Sequence, residues 1–270
     1  MRARCGIVLW LLLTVLAACG PRPEAKSPRH TSTPEVRADS LLLNFWKDSD
    51  FGSDSLGLEQ RFADFAAILP YGSETGRARA VDTLVGKSGA LRERILGLAE
   101  RYLYDPESPT YSGEMLLPFL GHYSSEDRGR AQWLRECILK NAPGTPAANF
   151  GYVSADGTRN SLFVAGSRAR IILMFFEPGC GVCKAAVEYI EASENVRREV
   201  EKGRLRLVAV SLEPFRPEDV KEFSDLWSVG YDADGSIDAD ELYIIRATPT
   251  LYDLSPTGTV IRKDFPVEEL

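Results

Sequence analysis

The chain has 270 residues, 44% hydrophobic and 26% charged, which suits one large or two ordinary globular domains and excludes a fibrous or wholly disordered protein. A formal net charge of −7 leaves no basic footprint for nucleic acid. With only two histidines, His30 and His122, a Ser-His-Asp triad has little to draw on, and no Gly-rich phosphate loop is present.

In chain order, Arg2 and Arg4 precede an apolar core from Ile7 to Leu16, which reads as a secretion signal. The core is too short for a bilayer span of about 20 residues. It ends Leu16-Ala17-Ala18-Cys19-Gly20, which resembles the bacterial lipobox, where cleavage precedes the cysteine and its thiol is lipidated. Residues 1–18 are therefore expected to be a lipoprotein signal, with Cys19 as the lipidation site. That would anchor the protein to the membrane, facing the periplasm of a bacterial cell envelope. An ordinary cleaved signal with Ala17 and Ala18 as its small residues is the alternative. Acyl chains contribute about 0.8 kcal/mol per buried methylene, so more than one gives stable anchoring.

Pro, Ser, Thr and mixed charge without apolar periodicity predict a disordered tether over 19–40. Residues 41–145 read as a helical domain of unassigned function: Phe62, Phe65 and Leu69 recur at three-to-four spacing, as do Leu91, Ile95, Leu98 and Tyr102. Further helices are expected near Gly113 to Tyr123 and Ser125 to Lys140. Cys137 falls on the apolar side of the latter, as a small buried hydrophobe. The turn residues of Asn141-Ala142-Pro143-Gly144-Thr145-Pro146 mark a linker.

A second domain, 146–270, opens with a predicted hairpin of Phe150 to Val153 and Ser161 to Val164. A strand buried on both faces, Ile171 to Phe176, follows, then a helix from Lys184 to Glu201. A second buried strand is expected over Leu205 to Ser211, a second helix over Glu218 to Trp227 and a short strand over Val229 to Tyr231. Thr250 to Leu254 and Thr259 to Lys263 form a hairpin around Pro256-Thr257-Gly258. This order is an α/β pattern with a mixed sheet.

Between the first strand and its helix stand Glu177-Pro178-Gly179 and then Cys180-Gly181-Val182-Cys183. Two thiols where a helix opens read as a thiol–disulfide exchange site. Unpaired N–H groups and the positive end of the helix dipole stabilise a thiolate on Cys180, the expected nucleophile. Cys183, one turn deeper, is the expected resolving thiol. Zinc needs about four ligands, and Cys137, His122, His30 and Cys19 are not at ligand spacing from one another or from the pair. No metal and no cofactor are implied. A structural disulfide remains a second reading. A peroxide-attacking cysteine would need Thr or Ser three residues earlier, where Glu177 stands.

Gly230 to Glu241 matches an EF-hand loop at its third, fifth, sixth, eighth, ninth and twelfth positions, but Gly230 replaces the first carboxylate. The preferred reading uses the same residues as turn and N-cap chemistry.

Together with Ala247-Thr248-Pro249-Thr250 before the last hairpin, this order of elements resembles the thioredoxin fold. The extra hairpin and the lipobox make the chain similar to the membrane-anchored thioredoxin-like proteins of the TlpA/ResA type. The resemblance covers residues 150–270. The helical front is similar to a region without known activity that precedes such domains in some bacterial thioredoxin-like lipoproteins. The implied fold is a mixed central sheet with flanking helices and an extra N-terminal β-hairpin, preceded by an all-α domain. The resemblance further implies that Cys180 attacks, that Cys183 resolves and that Pro249 is cis and packs against the pair. Thr248, Gly181 and Val182 would meet the substrate. The implied activity is a membrane-anchored thiol–disulfide oxidoreductase acting on protein disulfides, as a reductant recharged by a membrane or periplasmic electron donor. The alternative is a non-enzymatic, partner-binding lipoprotein with a static disulfide in a thioredoxin scaffold.

Three positions depart from thioredoxin itself. Gly179 replaces Trp, Val182 replaces Pro, and Met174 takes the place of the buried acid beneath the site. A proton acceptor for Cys183 is then missing, and Glu177 is the expected substitute if partly buried, with a solvated turn residue as the other reading. Lys184 reads as a surface lysine or as support for the Cys180 thiolate. Phe265 to Leu270 stands where the family carries a full last helix, so one sheet face is expected to be thinly covered or covered by the helical domain.

Overall fold

Apolar residues at helical spacing fold the first half of the chain into α1 (Pro34–Phe45), α2 (Ser55–Ile68), α3 (Glu74–Lys87), α4 (Arg92–Leu103), α5 (Gly113–Leu120) and α6 (Arg128–Leu139). The structure, a computed structural model, describes residues 33–49, 51 and 55–270. The signal, Cys19 and most of the expected tether lie outside the described residues. Phe62, Phe65, Leu84, Ile95, Phe119 and Leu134 meet in one core.

That core reaches further toward the N-terminus than residue 41. Helix α1 begins at Pro34, inside the segment expected to be disordered, because Thr33-Pro34 is a helix start. The Thr33 hydroxyl accepts from the Val36 N–H at 3.3 Å. Ala38 and Leu42 are buried, and Asp39 accepts from the Ser73 N–H at 2.8 Å, tying α1 to the start of α3.

The second half forms a seven-stranded mixed sheet of β1 (Gly151–Ser154), β2 (Arg159–Ser161), β3 (Arg170–Phe176), β4 (Leu205–Ser211), β5 (Trp227–Tyr231), β6 (Thr250–Leu254) and β7 (Val260–Lys263). Its order is β2-β1-β5-β4-β3-β6-β7. Strand β3 is central, parallel to β4 and antiparallel to β6. Alternation sends Ile172, Met174 and Phe176 to one face and Leu173 and Phe175 to the other. The first face packs against α7 (Gly181–Ala192) and α8 (Glu194–Glu201), the second against Phe150, Tyr243 and Ile237 of α9 (Ser236–Ala239).

Two expected helices differ. The one predicted over Lys184 to Glu201 breaks at Ser193, whose hydroxyl accepts from the Val196 N–H at 3.4 Å and starts α8 afresh. Glu218 to Trp227 is not a helix: a 3-10 turn over Pro217–Val220 is followed by β5, which pairs Trp227 with Leu207. Sheet pairing overrides local helix preference there. At the C-terminus, Phe265, Val267 and Leu270 pack into the cluster that holds Cys183. The last residues thus cover the face expected to be thin.

Gly230 is required by a close approach. A Cβ there would lie 2.5 Å from Tyr152 Cδ2 and 2.7 Å from the Val153 carbonyl oxygen, so β1 can lie against β5 only without a side chain at 230. Next to it, Asp232 accepts from the Ile237 N–H at 2.8 Å and Asp234 from the Ser236 N–H at 3.2 Å. Two of the EF-hand-like carboxylates, Asp232 and Asp234, thus shape the turn into α9.

The helical region is fastened to the sheet domain by polar contacts. Lys263 donates to the carbonyls of Ile138 at 2.7 Å and Lys140 at 2.9 Å, where the end of α6 leaves acceptors unpaired. Asn141 donates to the Leu242 carbonyl at 2.7 Å and accepts from the Ala148 N–H at 3.0 Å.

Gly230→Ala should lower the unfolding free energy by about 1–3 kcal/mol, the usual cost of overpacking. Gly86→Ala, on the exposed side of α3 with nothing within 4 Å, should raise it by up to about 1 kcal/mol. Urea unfolding of the two variants beside the parent protein measures both.

Candidate active site

Strand β3 ends at Phe176 and the chain turns through Glu177-Pro178-Gly179, with the Cys180 N–H donating to the Glu177 carbonyl at 3.1 Å. Gly179 has φ of 78°, left-handed backbone that favours glycine. This explains the departure from Trp, since a side chain at 179 would be strained. Cys180 is the N-cap of α7, and its Sγ accepts the Cys183 N–H at 3.1 Å. One N–H of this helix start, that of Cys183, therefore faces sulfur. Cys180 is half-buried and Cys183 is 0% exposed, and both are thiols. Burial, and then the neighbouring Cys180 sulfur, push the Cys183 thiol well above its ordinary range; the Thr248 hydroxyl acts in the opposite sense.

Thr248 reaches Cys183 because of strand register. Phe175 of β3 faces Thr250 of β6, so the residues just before β6 lie beside the start of α7. The Thr248–Pro249 peptide is cis, and the Thr250 hydroxyl donates to the Ala247 carbonyl at 2.6 Å. A groove of about 440 Å³ opens alongside, lined by Val182, Ala185, Tyr189, Pro249, Leu251 and Phe265 among others. Gly181 is exposed, and Val182, at 67% exposure, stands as an apolar side chain in water between the two cysteines.

Other sequence-predicted residues lie as follows. Met174 is fully buried beneath the pair. The side chain of Glu177 is exposed, so the partial burial on which its reading as proton acceptor rested is missing. The Pro178-Gly179 turn leaves it in water rather than folding it back. Lys184 is exposed, 3.9 Å from Glu188 on the next turn. Cys137 is buried in the helical core, where burial pushes its thiol up. Among the described residues no group of three or more His, Cys, Asp or Glu is placed to hold a metal.

Sequence reasoning passed over Arg246, Tyr189 and Phe265. The groove they help to line joins segments far apart in the chain. Only the place of Arg246, two residues before Thr248, hinted at its position.

No protein-family model and no curated protein matches the chain. Among solved structures, a thioredoxin-like protein from Bacteroides caccae is similar over 90% of this chain and 94% of its own, at 26% identity and a TM-score of 0.79. A likeness of that extent takes in the helical region as well as the sheet. The C-terminal domain of an uncharacterized protein from Bacteroides fragilis is 30% identical over 48% of this chain and 95% of its own, with a TM-score of 0.45. A thiol-disulfide oxidoreductase from the same organism is 21% identical over 47% of this chain and 94% of its own, with a TM-score of 0.38.

The raised Cys183 thiol makes stability depend on pH. Above the ordinary thiol value of 9.0, the unfolded chain loses a proton that the folded chain retains. Stability supplied by this group is therefore complete below pH 9 and is lost as pH rises through the folded value. The urea midpoint of the reduced protein should fall above pH 9, and Cys183→Ser should flatten that fall. Equal slopes in the two proteins would contradict the assignment.

Proposed function

We propose that this thioredoxin-like chain is a thiol–disulfide oxidoreductase acting on protein disulfides as a reductant. The observation that carries the reading is the unequal setting of the two sulfurs. Cys180 is half-buried, capping a helix, whereas Cys183 is sealed beneath it beside the cis Thr248–Pro249 peptide. A thiolate at a helix N-terminus is stabilised by N–H groups and by the dipole, so Cys180 is suited to attack.

The Cys180 thiolate attacks one sulfur of a substrate disulfide, and the other substrate sulfur leaves as a thiolate that takes a proton. Cys183 then gives up its proton to solvent and attacks Cys180 Sγ. The second substrate thiol is released, and the pair is left oxidised by two electrons. Burial favours the protonated form of Cys183 in the reduced pair. Gly181, Val182 and the Thr248 main chain meet the incoming chain, and Pro249 packs against the sulfur pair. The dithiol is restored by a reductant of the cell envelope.

The lipobox ending at Cys19 supports an acyl anchor and a periplasm-facing position. No helix among the described residues is long and apolar enough to cross a membrane. With Cys19→Ser, lipid labelling and membrane retention should both be lost.

The central test is a single-turnover reaction of the reduced protein with a disulfide-bonded protein. Cys180→Ser should abolish it, Cys183→Ser should accumulate a mixed disulfide through Cys180, and Pro249→Ala should slow it. The pair should have a reduction potential above about −300 mV. A lower potential together with no trapped intermediate would favour a static disulfide in a binding scaffold.

A further inference from the structure

The groove beside Pro249 does not end at the sheet domain. Beyond Pro249 and Leu251 it continues into a hollow of about 300 Å³ whose far wall is Pro106, Ser108, Pro109 and Tyr111 of the helical region. This wall is held in shape by its own hydrogen bonds. The hydroxyls of Ser108 and Thr110 both donate to the Tyr102 carbonyl, at 2.7 and 2.8 Å, and the Ser112 N–H donates to the Leu103 carbonyl at 3.0 Å. Across the gap, the Tyr111 hydroxyl donates to Asp264 at 3.3 Å.

Arg246 stands where the two walls meet, three residues before Pro249. Its guanidinium lies 3.8 Å from the centroid of the Tyr104 ring, and Nη1 donates to the Tyr104 carbonyl. The residue is nevertheless exposed, and it makes no ion pair among the described residues. Of the acids nearby, Asp105 accepts the Glu107 N–H at 3.0 Å, and Glu107 is exposed next to Pro106. Glu100 is held by Arg130 and by the Tyr123 hydroxyl. Asp264 accepts from Tyr111, and burial pushes its carboxyl up toward the neutral form. Glu268 lies at the other end of the groove, on the side of Val182. Arg246 is the exposed cation among the residues that line the hollow.

A guanidinium held over an aromatic ring with N–H groups to spare is preorganised for a carboxylate. We propose that the helical region forms the second wall of the substrate groove, and that Arg246 selects disulfide-bearing polypeptides with an acidic side chain near the reacting cysteine. This rests on the exchange activity proposed above. An extended chain advances about 3.3 Å per residue, and Arg246 is three residues from Pro249, so the acidic residue belongs about two to four residues from the cysteine.

The test uses the reduced full-length protein and short cysteine peptides capped by disulfide linkage to 2-mercaptoethanol. The peptides carry Glu, Gln or Lys two to four residues to either side of the cysteine. The Glu peptide should react about three- to tenfold faster than the Gln peptide at low salt, with the Lys peptide slowest. The difference should shrink at high salt. Arg246→Glu should make the Lys peptide the fastest, whereas Arg246→Lys should keep the preference for Glu. If Arg246→Glu does not fold, the salt dependence and the Arg246→Lys variant still decide. Equal rates for the three peptides, or an unchanged preference in Arg246→Glu, would overturn the selection. If none of the peptides reacts, the exchange reading beneath it falls instead.

Discussion

The site depends on one strand pairing, the antiparallel register of β3 with β6 that sets Phe175 opposite Thr250. Strand β3 ends just before the turn that presents Cys180, and β6 begins just after Pro249. Fixing the register therefore fixes the distance between the thiols and the cis peptide. Burial on both faces holds it: Met174 and Leu173 are both fully buried, on opposite sides of the sheet. A slip of one residue would turn every one of these side chains over, at a cost no local rearrangement could offset. The alignment of the chemistry is in this sense a consequence of core packing.

The parts of this arrangement that were legible in the sequence are those written locally. An unbroken apolar run of six residues ending at Pro-Gly gave β3, and the Cys-x-x-Cys after it gave the start of α7. Alternation around Pro256-Thr257-Gly258 gave the last hairpin. What was not legible depends on partners elsewhere. Trp227 joins a strand only because β4 offers it an open edge, and α1 holds from Pro34 only because Leu42 and Asp39 find α3 and its cap. Glu177 illustrates the same limit on the scale of one side chain, since its nearness in sequence to Cys180 says nothing of the direction in which the turn points it. The groove was hidden most completely, because Pro106 and Pro249 are separated by most of two folded regions.

Attachment of the helical region also bears on the site. Lys263 caps the carbonyls at the end of α6, a favourable place for a cation, although burial lowers its pKa and the acids Asp264 and Glu114 act against that shift. Arg246 is bound to Tyr104 only a few residues from Pro249. The loop that carries the cis peptide is therefore braced from outside the sheet domain, and the two regions share one polar seam.

Met174 carries a further consequence. A thioether neither binds nor releases a proton, so nothing at that place beneath the sulfurs can store charge when electrons arrive. Protons that accompany reduction of the pair must be lodged on the two sulfurs themselves. The acid–base behaviour of the pair is then set by the burial of Cys183 and by its Cys180 neighbour, with no contribution from that place in the sheet.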